Sequence, residues 1–224
     1  MIDIKLVPID SVQPSTYNPR SADEKRLKQI ELSLRKLGFI LPIFADKNGE
    51  ILSGHQRHLV ATRMGLTHVP VCYTKPLTLE QRKAYNIAFN RGTNDVERND
   101  TSATIKQKMA QYDVQALAEK IKDLDSSSQS FFTCLGVKEL DIKRLLEKNI
   151  NKLSKYCTNM AKMLKGCGAF MPIVIDEDMN VINGIGRLQM FAEMKKTKVD
   201  VVIVPNHKSE LAYCLLNYLT MDFD

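Results

Sequence analysis

The pentapeptide Ser53-Gly54-His55-Gln56-Arg57 carries the residue types best suited to chemistry in this 224-residue chain. It lies between a predicted strand and a predicted helix, where a glycine lets the backbone turn sharply. Amide N–H groups at the start of a helix, together with the helix dipole, bind phosphate. An arginine in the first turn can grip the same anion with two hydrogen bonds, and a histidine adds a donor or a base near neutral pH. The pentapeptide therefore predicts an anion pocket, although it also fits a tight turn with Arg57 in a surface ion pair.

A second copy of this pattern lies 130 residues further along the chain. LPIFADKNGEILSGHQR begins at position 41 and MPIVIDEDMNVINGIGR at position 171, and the two match without a gap. Gly184 and Arg187 repeat the glycine and the arginine, but isoleucine replaces His55, and Asn183 stands where the first copy has Ser53. We interpret the second copy as degenerate. It keeps a second candidate anion site at Gly184 and Arg187 and serves packing, dimerisation or the binding of a protein partner.

Hydrophobic periodicity and turn residues predict the elements that position both copies. Around the first copy they predict a strand at 2–7, a loop at 14–20, a helix at 23–37, strands at 41–46 and 50–53 joined by Asn48-Gly49, a helix at 55–64, a strand at 69–73 and a helix opened by a Thr78/Gln81 capping box. Further on they predict helices at 104–123, 137–152 and about 154–165, a strand pair, a helix at 185–195, a strand at 199–204 and a last helix. The order helix–strand–strand–helix–strand–helix is thus predicted twice, which indicates an α/β fold.

Composition narrows the class of protein. A hydrophobic content of 44% and a charged content of 26% are typical of a globular chain, and no apolar run is long enough to span a membrane. The five cysteines are scattered and form no CxxC pair, which favours reduced thiols and a cytoplasmic location. The four histidines lack a ligand spacing, so no metal site is predicted. The net charge of +6 is compatible with a polyanionic partner such as DNA.

Several features in a fixed order resemble the N-terminal domain of the ParB/sulfiredoxin superfamily, above all the branch found in phages and plasmids and beside DNA methyltransferases. They are the NPR loop of PSTYNPR, a helix ending in LGF, a PI strand, an NG hairpin, the G-H-x-R turn and the LTLEQ helix. The resemblance, which covers the first copy, and the internal repeat together imply an α/β (α+β) fold with two ParB/sulfiredoxin-like lobes, the second degenerate. The expected domains are a ParB-like N-terminal domain at 1–95, a helical connector at 96–152 and a degenerate second repeat at 153–224.

Members of this superfamily include partition proteins that bind and hydrolyse CTP, sulfiredoxins, a free-serine kinase and nucleases, and phosphate binding at the Gly-x-x-Arg turn is common to them. A sulfiredoxin activity is disfavoured because no cysteine precedes His55. The resemblance implies a nucleotide-binding, DNA-associated protein of a phage or other mobile element, with a nucleoside triphosphate and Mg²⁺ as ligands and hydrolysis left open. One alternative is a nuclease or small-molecule phosphotransferase of the same fold. Another is a non-catalytic interaction module with a vestigial pocket.

The site residues follow from the turn and from the resemblance together. His55 is the catalytic candidate, and the expected phosphate- or nucleotide-binding residues are Ser53, Gly54, His55, Gln56 and Arg57, with Asn18 and Arg20 of the NPR loop. Asn18 and Arg20 also fit a plain turn with a solvated arginine. The expected DNA-binding residues are four basic side chains of the helix at 23–37, namely Arg26, Lys28, Arg35 and Lys36. Such a run is equally typical of a solvated helix face.

Overall fold

A computed structural model describes residues 2–15, 23–82, 113–124, 136–152 and 171–218. In the first half of the chain the elements are β1 (Ile4–Pro8), β2 (Gln13–Pro14), α1 (Glu24–Leu37), β3 (Ile43–Ala45), β4 (Glu50–Ser53), α2 (His55–Arg63) and β5 (His68–Tyr73). The second half contains α3 (Val114–Glu119), β6 (Val137–Asp141), α4 (Ile142–Lys148), β7 (Ile173–Asp176), β8 (Val181–Asn183), α5 (Ile185–Glu193), β9 (Lys198–Val204) and α6 (Asn206–Tyr218). None of the helices in these ranges is long and apolar enough to cross a bilayer.

Each half of the chain forms one mixed sheet, and we call each sheet with its helices a lobe. The first sheet has the strand order β1-β5-β3-β4-β2, and the second has β6-β9-β7-β8. In the first lobe β3 runs parallel to β5 and antiparallel to β4, while β1 pairs antiparallel with β5. In the second lobe β7 takes the place of β3, β8 of β4, β9 of β5 and β6 of β1. The α/β architecture with two similar lobes agrees with the predicted fold class.

The strand pairing also has the same register in the two lobes. The antiparallel pairs β3–β4 and β7–β8 have a register shift at the same place. The paired residues are Phe44 with Ser53 and Ala45 with Ile51 in the first lobe, and Val174 with Asn183 and Ile175 with Val181 in the second. These residues differ by 130 positions throughout. The helix that follows the second strand begins directly after a glycine in both lobes. The predicted strand–turn–strand–helix unit at 171–204 is therefore confirmed.

The stretch from 137 to 152 differs from its predicted all-helical form. Residues Val137–Asp141 form the edge strand β6, which pairs antiparallel with β9, and a helix begins only at Ile142. The sequence VKELD contains residues that a helix also accepts, so the pairing partner decides its conformation. Because β6 belongs to the second sheet, we propose that the second lobe begins near 137 and not at 153. The predicted helix at 154–165 lies outside the described residues. The predicted helix at 104–123 is described only from residue 113, and there α3 ends at Glu119, four residues earlier than predicted.

Apolar packing joins the two lobes. One buried cluster lies within the first lobe, under α1 and α2, and includes Leu34 and Val60. A larger cluster crosses between the lobes and unites Leu37 and Phe44 of the first with Val201 and other residues of the second. Burial of apolar surface stabilises a structure roughly in proportion to the area removed from water. The lobes therefore depend on each other for their cores.

Hydrogen bonds to Asp46 stabilise the turn that joins β3 to β4. The Asp46 carboxylate accepts hydrogen bonds from the backbone N–H groups of Asn48 (2.8 Å) and Glu50 (3.0 Å), and Gly49 has φ +84°. The carboxylate thus supports the Asn-Gly turn that the sequence predicts.

The capping box predicted after β5 is also present. The backbone N–H of Thr78 donates to Gln81 Oε1 (2.9 Å), and the N–H of Gln81 donates to Thr78 Oγ1 (3.3 Å). These reciprocal bonds satisfy two of the N–H groups that a helix start leaves open. They fix the helical turn at 79–82, after which the described range ends.

Candidate functional site

The turn between β4 and α2 depends on the absence of a side chain at Gly54. Gly54 has φ +102° and ψ 16°, a conformation that L residues rarely adopt. A Cβ atom there would lie 3.1 Å from Ile43 Cγ1 and 3.2 Å from Arg57 Nη2. No side chain of the described residues caps α2, so the first N–H groups of the helix, at His55 and Gln56, face out of the turn without a capping oxygen.

Arg57 lies beneath this turn and uses only part of its guanidinium for internal bonds. Its Nη1 donates to the carbonyl oxygens of Leu41 and Pro42, the latter at 2.9 Å. Within the described part of the chain, its Nε and Nη2 have no hydrogen-bond acceptor, and Nη2 lies directly under Gly54. The residue is partly exposed. One edge of the guanidinium therefore braces the start of β3, and the other remains available at the N terminus of α2.

The charge of Arg57 is not neutralised by any carboxylate among the described residues. Burial lowers the pKa of its guanidinium to about 10, so the side chain remains protonated at neutral pH. A positive charge held in a poorly solvated turn, next to the positive end of a helix dipole, favours an anion at that point. The arrangement can bind a phosphate group through backbone N–H donors and the open edge of Arg57.

The ring of His55, the first residue of α2, is hydrogen-bonded to the backbone. Its Nε2 accepts a hydrogen bond from the backbone N–H of Ser15 at 3.3 Å. Burial lowers the pKa of His55 below the ordinary value of 6.5, and the charge of His58 lowers it further. The imidazole is therefore neutral at pH 7. It attaches the end of β2 to the start of α2.

We expect His55 to make the stability of the chain depend on pH. Its folded-state pKa is below 6.5, so the unfolded chain binds more protons as the pH falls through that value. The contribution of His55 is present above about pH 6.5 and is lost as the pH falls toward the folded-state pKa. Urea unfolding from about pH 8 to pH 5 should show a shallower acid-side loss for His55→Gln, whose amide oxygen can still accept from Ser15. Parallel curves for the variant and the native chain would contradict this expectation.

The other predicted residues of the first site are only partly accounted for. Ser53 ends β4 and Gln56 lies in the first turn of α2, and both are partly exposed at the turn. Asn18 and Arg20 lie outside the described residues, although Ser15, close before them, contacts His55. The phosphate-binding role of these residues stays a prediction.

The corresponding turn of the second lobe has a similar backbone conformation, but its arginine contacts different partners. Gly184 has φ +110° and ψ 20°, close to the values of Gly54. Arg187 is only 4% exposed, and its Nη2 donates to Asn183 Oδ1 at 2.7 Å while Nη1 contacts Met171 Sδ at 3.7 Å. Asn183 in turn donates to Asn217 Oδ1 of α6 at 2.9 Å. This arginine belongs to a buried polar network, which agrees with our interpretation of the second copy as degenerate.

The basic residues of α1 do not share one open face. Arg26 is only 9% exposed, and Arg35 Nη2 lies 2.7 Å from Glu31 Oε1. Lys36 Nζ lies 2.7 Å from Asp123 Oδ1 and donates to the Ile121 carbonyl at 2.6 Å, so it links α1 to the stretch after α3. Lys28 remains exposed. Of the four predicted DNA-binding residues, Lys28 and Arg35 are therefore the ones accessible to a polyanion.

Sequence reasoning missed an ionic cluster at the hairpin. Arg82 Nη2 lies 2.6 Å from Asp46 Oδ2, and its Nη1 lies 2.6 Å from Glu50 Oε2. Asp46 is only 1% exposed, so this pair is largely shielded from water. The capping box located Arg82 in the first turn of its helix, but nothing local to either segment indicated that the two meet. The cluster ties the helix after β5 to the strand that leads to Gly54.

Other chemistry is limited in the described ranges. No group of three or more His, Cys, Asp or Glu side chains in them is placed to hold a metal ion. Cys72 and Cys214 are buried free thiols, and burial raises the pKa of each to about 12. Thiols that stay protonated are poor nucleophiles. The turn at Gly54 is thus the best-equipped site in the described structure.

Comparison with known proteins gives matches over the first lobe and beyond it. A family model described as the ParB N-terminal domain matches residues 2–90. The ParB-like nuclease domain-containing protein YnaK of Escherichia coli (strain K12) is 30% identical over 76 residues, which cover 34% of this chain and 87% of YnaK. The nucleoid occlusion protein of Bacillus cereus (strain AH187) is 25% identical over 157 residues, or 67% of this chain. The chain spans about half, 54%, of the length of that second relative.

Two solved structures are also similar. One is the C-terminally truncated chromosome-partitioning protein ParB from Caulobacter crescentus complexed with CTP-gamma-S, with 24% identity and a TM-score of 0.40 over 53% of this chain and 64% of that one. The other is a Pnob8-like ParB-N domain, with 16% identity and a TM-score of 0.36 over 88% of this chain and 65% of that one.

Proposed function

The chain belongs to the ParB/sulfiredoxin superfamily, and from this membership and the geometry at Gly54 we propose that its first lobe binds the phosphates of a nucleotide. The proposal depends on one observation: the guanidinium of Arg57 uses Nη1 for internal hydrogen bonds but leaves Nε and Nη2 without an acceptor among the described residues. Nη1 is fixed by two carbonyl oxygens, which leaves Nη2 oriented toward the N terminus of α2. The unbonded N–H donors of Arg57 and the N–H groups at the start of α2 lie at the same turn, and bonding to Leu41 and Pro42 alone does not require this arrangement.

The ligand contacts follow from the donors available. Phosphate oxygens would accept from the backbone N–H groups of His55 and Gln56 and from Nε or Nη2 of Arg57. Ser53 can add its hydroxyl, and the NPR residues Asn18 and Arg20 are proposed to approach from the chain beyond Ser15. Mg²⁺ would enter with a triphosphate, because this ion is usually held by phosphates and a few protein oxygens.

Hydrolysis of the nucleotide is the finer part of the proposal, with His55 as its candidate base. The neutral imidazole has the correct protonation state for accepting a proton, but its Nε2 lone pair is occupied by Ser15 in this structure. Phosphate release by the native chain and by His55→Gln tests the role. A base role predicts slower release at unchanged nucleotide affinity, whereas equal release rates would mean that His55 only positions the loop.

Calorimetric titration with CTP, ATP, GTP and UTP in the presence of Mg²⁺ tests the binding itself. We expect saturable binding of one nucleotide per chain, since the arginine of the second lobe is buried in its own network. Inorganic tripolyphosphate, titrated in parallel, measures the share of affinity that comes from the phosphates. Failure of all five probes to bind would overturn the proposal.

We also propose that the chain associates with DNA, as the name of the nucleoid occlusion relative suggests for that protein. The contact would be electrostatic and use Lys28 and Arg35 on α1. Each phosphate neutralised contributes about −0.9 to the slope of log affinity against log salt, so these two residues predict a slope of about −2. Anisotropy titrations of duplex DNA at several salt concentrations should show this slope, and charge reversal of both residues should flatten it. Undetectable binding at low salt would remove DNA from the proposal.

A nuclease is the second candidate, because YnaK is described as containing a ParB-like nuclease domain. Incubation of supercoiled and single-stranded DNA with the chain and Mg²⁺ or Mn²⁺ distinguishes the two functions. Nicking that persists in an Arg57→Ala variant would favour a nuclease centre elsewhere in the chain. A phage or mobile-element origin and a protein partner or homodimer contact through the second lobe remain part of the proposal.

A further inference from the structure

The two lobes allow a comparison between two equivalent arginines. Arg57 has side-chain donors without an acceptor among the described residues, whereas Arg187 is bonded to Asn183. Ser53 and Asn183 occupy the same register position, each opposite the middle of the neighbouring strand and each followed by a glycine with positive φ. Arg57 and Arg187 lie three residues after these glycines, in the first turn of the helix. The backbone is thus equivalent, and the side chain before the glycine differs.

That side chain determines what the arginine contacts. In the second lobe Asn183 Oδ1 accepts from Arg187 Nη2 at 2.7 Å, so an oxygen of the protein fills the inner edge of the guanidinium. Asn183 is itself fixed by Asn217, which also donates to the Ile182 carbonyl at 2.8 Å. In the first lobe Ser53 makes no such bond to Arg57 within the described residues. The serine side chain reaches one bond less far than that of asparagine and has no planar amide to present.

We propose that the first lobe can bind an anion because the residue before its glycine leaves Arg57 Nη2 without an acceptor among the described residues, and that Ser53 is therefore the specificity-determining residue of this lobe. The inference rests on the proposed function and adds to it a position for the ligand. Asn183 Oδ1 stands in for a phosphate oxygen, so the bound oxygen lies near Arg57 Nη2 at about the same 2.7 Å. Ser53 allows this because its short side chain, among the described residues, does not bond Nη2.

Ser53→Asn tests the inference by giving the first lobe the side chain of the second. The introduced amide oxygen should accept a hydrogen bond from Arg57 Nη2. Binding of CTP with Mg²⁺ should then weaken about 10- to 100-fold, as expected for loss of a hydrogen bond to a charged group. Ser53→Ala measures the part due to the serine hydroxyl alone. Ser53→Asp, which has the same shape as asparagine, should weaken binding at least as much and serves if Ser53→Asn does not fold.

Two further measurements separate this role from a general effect on folding. Thermal unfolding should show Ser53→Asn to be as stable as Ser53→Ala or more stable, because the new amide satisfies a donor that is otherwise open. The Nη–H and Nε–H signals of Arg57 in nitrogen-15 spectra should exchange with water more slowly in Ser53→Asn than in the native chain.

The possible failures are distinguishable. If the native chain binds CTP and the folded Ser53→Asn and Ser53→Asp variants bind within threefold of Ser53→Ala, the inference is overturned and the proposed function stands. If the native chain binds none of the nucleotides and no tripolyphosphate, both are overturned. Asn183→Ser is the matched change in the second lobe. It should not raise the stoichiometry above one nucleotide per chain, because Arg187 remains buried.

Discussion

The Arg57→Ala variant is expected to bind its nucleotide about 10- to 150-fold more weakly than the native chain, the equivalent of about 1.5–3 kcal/mol for a charge-assisted hydrogen bond. The loss arises because Nη2 and Nε are the open donors under Gly54 and carry the only charge in the turn that no described carboxylate neutralises. Calorimetry with the nucleotide that binds best to the native chain measures it. Arg57→Lys should recover little affinity, since an ammonium cannot brace two carbonyls and grip an anion together.

The matched control lies in the second lobe. Arg187→Met removes the corresponding charge but keeps much of the side-chain volume in a site that is only 4% exposed. It should cost far less nucleotide affinity than Arg57→Ala, while its effect on thermal stability should be larger because Asn183 loses its partner. Equal losses of affinity at the two arginines would mean that both lobes bind, and the degenerate interpretation of the second would be wrong.

The largest effect on stability is expected from Gly184→Ala. A positive φ costs a non-glycine residue about 1–3 kcal/mol, and the added Cβ would also lie 2.7 Å from Arg187 Nη2, which is buried and bonded to Asn183. We expect a total loss of about 3 kcal/mol or more in the free energy of unfolding. Gly54→Ala should cost less, because its closest contacts are 3.1 and 3.2 Å and the edge of Arg57 has room to move.

Urea unfolding of the whole chain tests this ranking, since the shared core makes both lobes contribute to one transition. Equal losses for the two alanine variants would contradict the view that Arg187 is fixed and Arg57 is not. A loss below about 1 kcal/mol at Gly184 would contradict the account of its turn.

The parts of this fold that sequence predicted are those set by neighbouring residues. The Asn48-Gly49 turn, the Thr78/Gln81 capping box and the glycines before α2 and α5 all act within four positions along the chain. The 130-residue spacing then located the second strand–turn–strand–helix unit from the first. Turn chemistry of this kind needs no knowledge of the tertiary structure.

The parts that sequence did not predict depend on distant partners. Val137–Asp141 forms a strand because β9 pairs with it, although VKELD alone also suits a helix. Lys36 was expected on a DNA-binding face, but Asp123 and the Ile121 carbonyl hold its ammonium group. The ion pair of Arg82 with Asp46 likewise joins residues that are 36 positions apart in the sequence. A charged residue shows its partner only once the chain has folded.

The candidate site divides in the same way. The glycine, the helix start and the position of Arg57 were predicted from five consecutive residues. The division of the guanidinium between Leu41, Pro42 and an open edge was not predictable, since it depends on where β3 lies relative to α2. The hydrogen bond from Arg187 to Asn183 was not predictable either, although the alignment of the two copies shows asparagine in place of serine at this position.

The most direct test of the central claim is a nitrogen-15 spectrum of the chain labelled only at glycine, recorded during titration with CTP and Mg²⁺. The chain contains ten glycines, and Gly54 and Gly184 report on the two turns separately. If the N terminus of α2 binds the phosphates, the Gly54 signal moves and saturates with the nucleotide while the Gly184 signal stays in place. A Gly54 signal that does not move at a nucleotide concentration that saturates binding would place the ligand elsewhere and contradict the claim.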